Sequence, residues 1–204
     1  MERETGRVEA FSDGVFAIAI TLLILEIHVP NMDDAISSWQ LLAALTHLWP
    51  SLVAFLLSFF VILIMWVNHH EFMLWLRRCD YKFFFANGLV LLMVTFIPFP
   101  TALMARYLGT GAERGAVAVY CGTFFCASIA YQVLLRSVIS KRRLVRDEVP
   151  EEVLDSVRRA YNFGPLFYGL ATVLALWNAI AGLVLCSSLW VLWTRLRYRP
   201  FREY

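Results

Sequence analysis

Two short clusters hold the side chains best suited to chemistry. Ser12 and Asp13 sit inside "RVEAFSDGVFAIAITLLILEI", residues 7–27, and Asn68, His69, His70 and Glu71 sit inside "WVNHHEF", residues 66–72. Asp13 with His69 has the make-up of an acid–base pair, but no third chemical group converges on them, so an enzyme is not expected. His69-His70-Glu71 offers metal-ligand types. Adjacent helix positions point in different directions, and no third ligand stands at useful spacing, so neither a metal site nor a cofactor is expected.

The surroundings of both clusters are apolar. The chain has 204 residues, 60% of them hydrophobic and 17% charged, with a mean hydropathy of +0.63. Such a chain has lipid as its solvent. About 17–25 apolar residues cross a bilayer as a helix. Windows of that kind cover about 11–28, 48–68, 83–105 and 116–136, and an apolar block follows from Phe163 to Thr194. That block is too long for one ordinary span, so it is divided at Trp177-Asn178-Ala179 into helices over 163–177 and 179–194. At about 1.5 Å per residue each half falls short of a core about 30 Å thick, which calls for local thinning or flanking residues.

Charge supports the division. With six spans, every Lys and Arg except Arg106 and Arg114 falls on one side of the membrane, the arrangement expected of cytoplasmic segments. The fold class is therefore all-α: one polytopic domain over residues 1–204, six transmembrane helices, both termini cytoplasmic, and no signal peptide. The net charge of +2 is a topology signal, and no nucleic-acid partner is expected. Cys79, Cys121, Cys126 and Cys186 lack metal-site spacing and read as free thiols. Residues 140–162 read as a basic stretch with a short amphipathic helix on the inner membrane face, where Val153, Val157 and Tyr161 repeat every four residues.

With Asp13 at 0° and about 100° per residue, Ile18 falls near 140°, Thr21 near 80°, Leu22 near 180° and Leu25 near 120°. Gly14 continues this stripe and Asp13 points away from it. An aspartate within an apolar helix costs about 2.5–3.5 kcal/mol at mid-bilayer, less near the interface, and normally pairs. The second span returns to the same depth with Asn68, His69 and His70. These are the expected partners of Ser12 and Asp13. "YLGTGAERG", residues 107–115, contains Gly-Thr-Gly, but is too short to dip into a membrane and return, and is read as a turn.

Arg7, Phe11, Ser12 and Asp13 fill the pattern Arg-x-x-x-Phe-Ser-Asp without a gap. In this the segment resembles the first-helix signature of the transmembrane protein 175 family, lysosomal potassium channels and their prokaryotic relatives. The resemblance implies a potassium-permeable channel of the cell membrane. First helices line its pore, and it uses no glycine-rich filter. It implies a hydrophobic constriction at Ile18, Leu22 and Leu25, the same stripe, with Thr21 as the nearby hydroxyl. Arg7, Phe11, Ser12, Asp13, Asn68, His69 and His70 would form the motif and its inter-helix network. One copy of the motif implies a single-repeat member that assembles as a homotetramer in the lipid bilayer with potassium as the permeant ion. Glu26, followed by Asp33 and Asp34, would make an acidic outer mouth that concentrates cations. The competing reading is a proton- or ion-coupled secondary transporter, against which stand the absence of a clear internal repeat and of charge at mid-depth.

Overall fold

In lipid a backbone must satisfy its own hydrogen bonds, so long apolar runs become helices. The computed structural model describes residues 5–30, 37–140 and 142–195. It holds eight α-helices there: α1 Gly6–Leu22, α2 Ser38–Thr46, α3 Trp49–Leu74, α4 Tyr81–Phe96, α5 Pro98–Tyr107, α6 Glu113–Ile139, α7 Glu151–Trp177 and α8 Ala179–Thr194. Four stretches are long and apolar enough to cross a membrane, namely Gly6–Glu26, Trp49–Leu74, Tyr81–Tyr107 and Glu113–Ile139. Helix α8 is apolar but shorter. Asp33, Asp34 and the tail arginines beyond residue 195 lie outside the described residues.

Local chemistry explains the boundaries. Pro98 and Pro100 bring the third apolar stretch to a junction at Ile97, where α4 gives way to α5; proline cannot donate into the preceding turn. Asp80 caps α4 by accepting from the Phe83 N–H at 2.9 Å. Residues 108–112 make the turn into α6, with Gly109 at φ 82°, the left-handed region that suits glycine. Its N–H donates to Glu113 Oε2 at 3.1 Å. Helix α2 was not legible as an element because its residues read as outer loop. It begins with a capping box in which Ser37 and Gln40 satisfy each other's backbone.

Helix α6 is the central post, packed against α4, α5, α7 and α8. Helix α1 leans on α3 and α4. The apolar block does break at Asn178, whose backbone is extended and whose side chain accepts from the Ala181 N–H at 2.9 Å to start α8. The two arms then pack so closely that a Cβ on Gly182 would stand 2.6 Å from that of Ala175. Pro165, inside α7, offers no N–H to the Tyr161 carbonyl four residues back. Gln132 Nε2 of α6 donates to that carbonyl instead, at 2.9 Å.

The expected surface helix within residues 140–162 is corrected. Residues from Glu151 onward belong to α7 and run without a break into its apolar half. Before them, the segment 142–149 is docked on the α3–α4 connection. Arg77 N–H donates to Leu144 O and Arg146 N–H to Trp75 O, both at 2.9 Å. Leu144, Val145 and Val149 are buried with Trp75, Leu76 and Cys79. Apolar side chains spaced along a basic stretch outweigh the pull of headgroups here, because burial in protein removes them from water. All four cysteines are free. Burial, with Asp80 adding to it, pushes the Cys79 thiol up to about 12, so it stays protonated at neutral pH.

Candidate functional site

Helix α1 presents two arcs. Val8, Ser12, Phe16 and Ala19 are buried, and at about 100° per residue they fall within about 220–300° of the wheel on which Asp13 is 0°. Arg7, Phe11, Gly14, Ile18, Thr21 and Leu22 are exposed and fall within about 80–180°. Phe11 and Leu25 are each 65% exposed, Ile18 61% and Leu22 42%. Beyond Leu22 the chain tightens into a 3-10 turn, Leu23–Glu26. Its step of about 120° per residue carries Leu25 to about 180°, beneath Leu22, rather than the 120° that an unbroken α-helix predicts. The stripe is thus continuous from Arg7 to Leu25. Thr21 Oγ1 sits 2.9 Å from both the Ala17 and the Ile18 carbonyls. The hydroxyl bonds back to its own helix, and the side chain is exposed.

Behind the stripe lies a buried polar chain. Ser12 Oγ donates to Val8 O at 2.8 Å and accepts from Asn87 Nδ2 at 3.0 Å. Asn87 Oδ1 accepts from His69 Nε2 at 2.7 Å, and the His69 ring packs on Phe16. Helices α1, α3 and α4 are joined through Asn87 alone in this chain of bonds. A second link runs from Trp66 Nε1, which donates to Asp13 Oδ1 at 2.9 Å. His70 stacks on Trp66 and places Nδ1 3.3 Å from Glu9 Oε1.

The expected network needs four changes. Asp13 bonds to Trp66, not to Ser12 or the histidines, because Ser12 turns into the buried arc while Asp13 stands at its edge. Asn68 is buried on another side of α3, lining a small cavity with Ser128, Tyr131 and Trp193, since one residue's step turns it away from His69. Arg7 and Phe11 lie on the exposed stripe, where their wheel angles of about 120° and 160° put them. Asn87 was missed. An asparagine inside "FFFANGLVLL", residues 83–92, calls for a partner by the same rule applied to Asp13, and Trp66 was in plain view within the quoted histidine segment. Glu26 ends the 3-10 turn half-buried, and His28 Nδ1 lies 3.2 Å from its carbonyl.

The sequence profile of the family described as Endosomal/lysosomal potassium channel TMEM175 matches residues 7–98, the part of the chain that contains both arcs of α1 and the helices behind them. A potassium channel of Chamaesiphon minutus is 47% identical over 174 residues, 85% of this chain and 85% of that one. The chain belongs to the TMEM175 family. A potassium channel of Streptomyces collinus is 43% identical over 177 residues, 86% of this chain and 84% of that one. The crystal structure of a lysosomal potassium-selective channel TMEM175 homolog from Chamaesiphon minutus superposes with a TM-score of 0.82 at 43% identity, covering 93% of this chain and 96% of that one. The TMEM175 family and its fold are those of ion channels rather than enzymes, and the chain is a multi-pass membrane protein.

Proposed function

We propose that this chain is a potassium-permeable cation channel of the cell membrane, built as a homotetramer with α1 from each copy around a central pore. The observation that carries the reading is the exposed stripe of α1. A helix whose opposite face is locked by hydrogen bonds to α3 and α4 holds its Ile18, Leu22 and Leu25 at fixed depths. Rings of such side chains around an axis make a hydrophobic constriction that gates by excluding water. The exposed Thr21 hydroxyl supplies an oxygen beside that constriction. Six spans per chain with both termini cytoplasmic follow from the placement of Lys and Arg, with the apolar half of α7 and the shorter α8 as the last two. The named potassium channels among the relatives favour a channel over a coupled transporter.

Reconstitution in liposomes tests the reading. Under a potassium gradient the wild-type current should reverse away from zero, toward the potassium equilibrium potential. Ile18→Asn or Leu22→Asn should wet the constriction and raise the current about tenfold or more, while Thr21→Val should move the reversal potential toward zero. Unchanged conduction in well-assembled Ile18→Asn and Leu22→Asn proteins would mean that α1 does not line the pore.

A further inference from the structure

At the end of α1 nearer the N-terminus, Glu9, Asp13 and His70 converge. One ligand-type atom from each lies within 4.8 Å of the other two. Glu9 and Asp13 are four residues apart on α1, one turn, so both carboxylates share a face. His70 reaches them from α3. The third ligand that sequence spacing lacked is thus supplied by a different helix, and His69, the neighbouring histidine, is committed elsewhere through Asn87.

Two features set this cluster apart from a solvated charge group. Among the described residues His70 Nδ1 is closed off from solvent and finds no hydrogen bond, although Glu9 Oε1 stands 3.3 Å away. The ring nitrogen therefore stands beside a carboxylate oxygen without a hydrogen bond to it. Asp13 is held from behind by the Trp66 N–H, the kind of outer-shell bond that orients a ligating carboxylate, and Asp13 Oδ2 has no hydrogen-bond partner among the described residues.

We propose that Glu9, Asp13 and His70 form a binding site for a divalent transition-metal ion of the Zn2+ class, bridging α1 and α3. Two carboxylates and one neutral imidazole balance the ion's charge. The mixed nitrogen and oxygen set suits Zn2+ or Co2+, whereas Mg2+ and Ca2+ prefer oxygen alone. Bonds of about 2.1 Å in a tetrahedron put ligand atoms about 3.4 Å apart. The Glu9–His70 pair already stands at 3.3 Å, and side-chain rotation brings in Asp13, leaving the fourth position to water. The His70 and Glu9 side chains are 38% and 27% exposed, so the cluster lies at the edge of the chain rather than in its core. Bound metal pins α1 to α3. Its effect on current rests on the proposal that α1 lines the pore; its binding does not.

The test uses the full-length protein, purified metal-free, titrated with Co2+ and read by visible d–d absorption, then back-titrated with Zn2+. The expected result is one Co2+ per chain with tetrahedral bands that Zn2+ abolishes. Affinity should fall at least about tenfold in Glu9→Gln and in His70→Ala, and stay unchanged in Glu71→Gln and His28→Ala. Glu9→Gln keeps a hydrogen-bonding amide and decides the matter if His70→Ala fails to fold. Absence of binding at millimolar metal, or binding that Glu9→Gln leaves intact, overturns the site. In liposomes, Zn2+ on the side of the N-terminus should lower the wild-type potassium current and spare Glu9→Gln. Binding that depends on Glu9 without any effect on current upholds the site and counts against the pore-lining role of α1.

Discussion

Helix α1 with its 3-10 turn, Gly6–Glu26, and helix α6 are both apolar and long enough to cross a bilayer, yet 28% of the most apolar window of the first is buried within the chain against 61% for α6. Helix α6 buries the larger part of its surface against α4, α5, α7 and α8 through small side chains, among them Ala116, Ala127, Ser128 and Ala130, which let backbones approach closely, and leaves only a strip with Val119, Ile129 and Val133 exposed. Helix α1 has one attached face and one free face. Lipid gives no hydrophobic drive for helix pairing, so the attached face of α1 relies on the Ser12–Asn87–His69 chain and the Asp13–Trp66 bond. The contrast marks α6 as the helix that holds the fold, while the stripe of α1 stays uncovered within the single chain.

The sharpest way to break the contrast is at the α7–α8 pair that packs against the post. Gly182→Val places a side chain against Ala175, including its backbone atoms at 2.7 and 2.8 Å, which neither helix can yield. Overpacking of this kind costs about 3 kcal/mol or more, and monodisperse protein should be lost on size exclusion. The attachment of α1 comes next. Asn87→Ala removes both of its bonds and leaves Ser12 and His69 buried without that partner, at about 2 kcal/mol, whereas Ser12→Ala should cost less because His69 keeps Asn87. Equal melting temperatures for the two variants would show that Asn87 does not join them. Gln132→Leu strips the substitute donor from the Tyr161 carbonyl, for about 1 kcal/mol, with unfolding in detergent as the measure. Smallest is Asp147→Ala. Its bond to Arg77 at 3.3 Å lies between exposed side chains, and such pairs contribute about 0–1 kcal/mol, so thermal melting should barely move.

Much of this was legible from the residues. Apolar runs and proline positions place the helices, because each depends on a chain segment and its solvent alone. The 100° step separates Asp13 from Ile18, Thr21 and Leu22, since helical periodicity is local geometry. What failed depended on other segments. The 3-10 turn that moves Leu25, the docking of Leu144 and Val145 under Trp75, and the choice of Asn87 over Asn68 all come from packing between helices distant in sequence.

The sequence by itself determined that the chain lives in lipid, that α1 has a polar edge and an apolar stripe, and that its motif is that of the TMEM175 family. Only the tertiary structure decided who pairs with whom. A buried hydrogen bond is won or lost over less than an ångström. Neither periodicity nor composition carries that distance, which is how α3 can bring His70 to Glu9 and Asp13 while turning its neighbour His69 to Asn87.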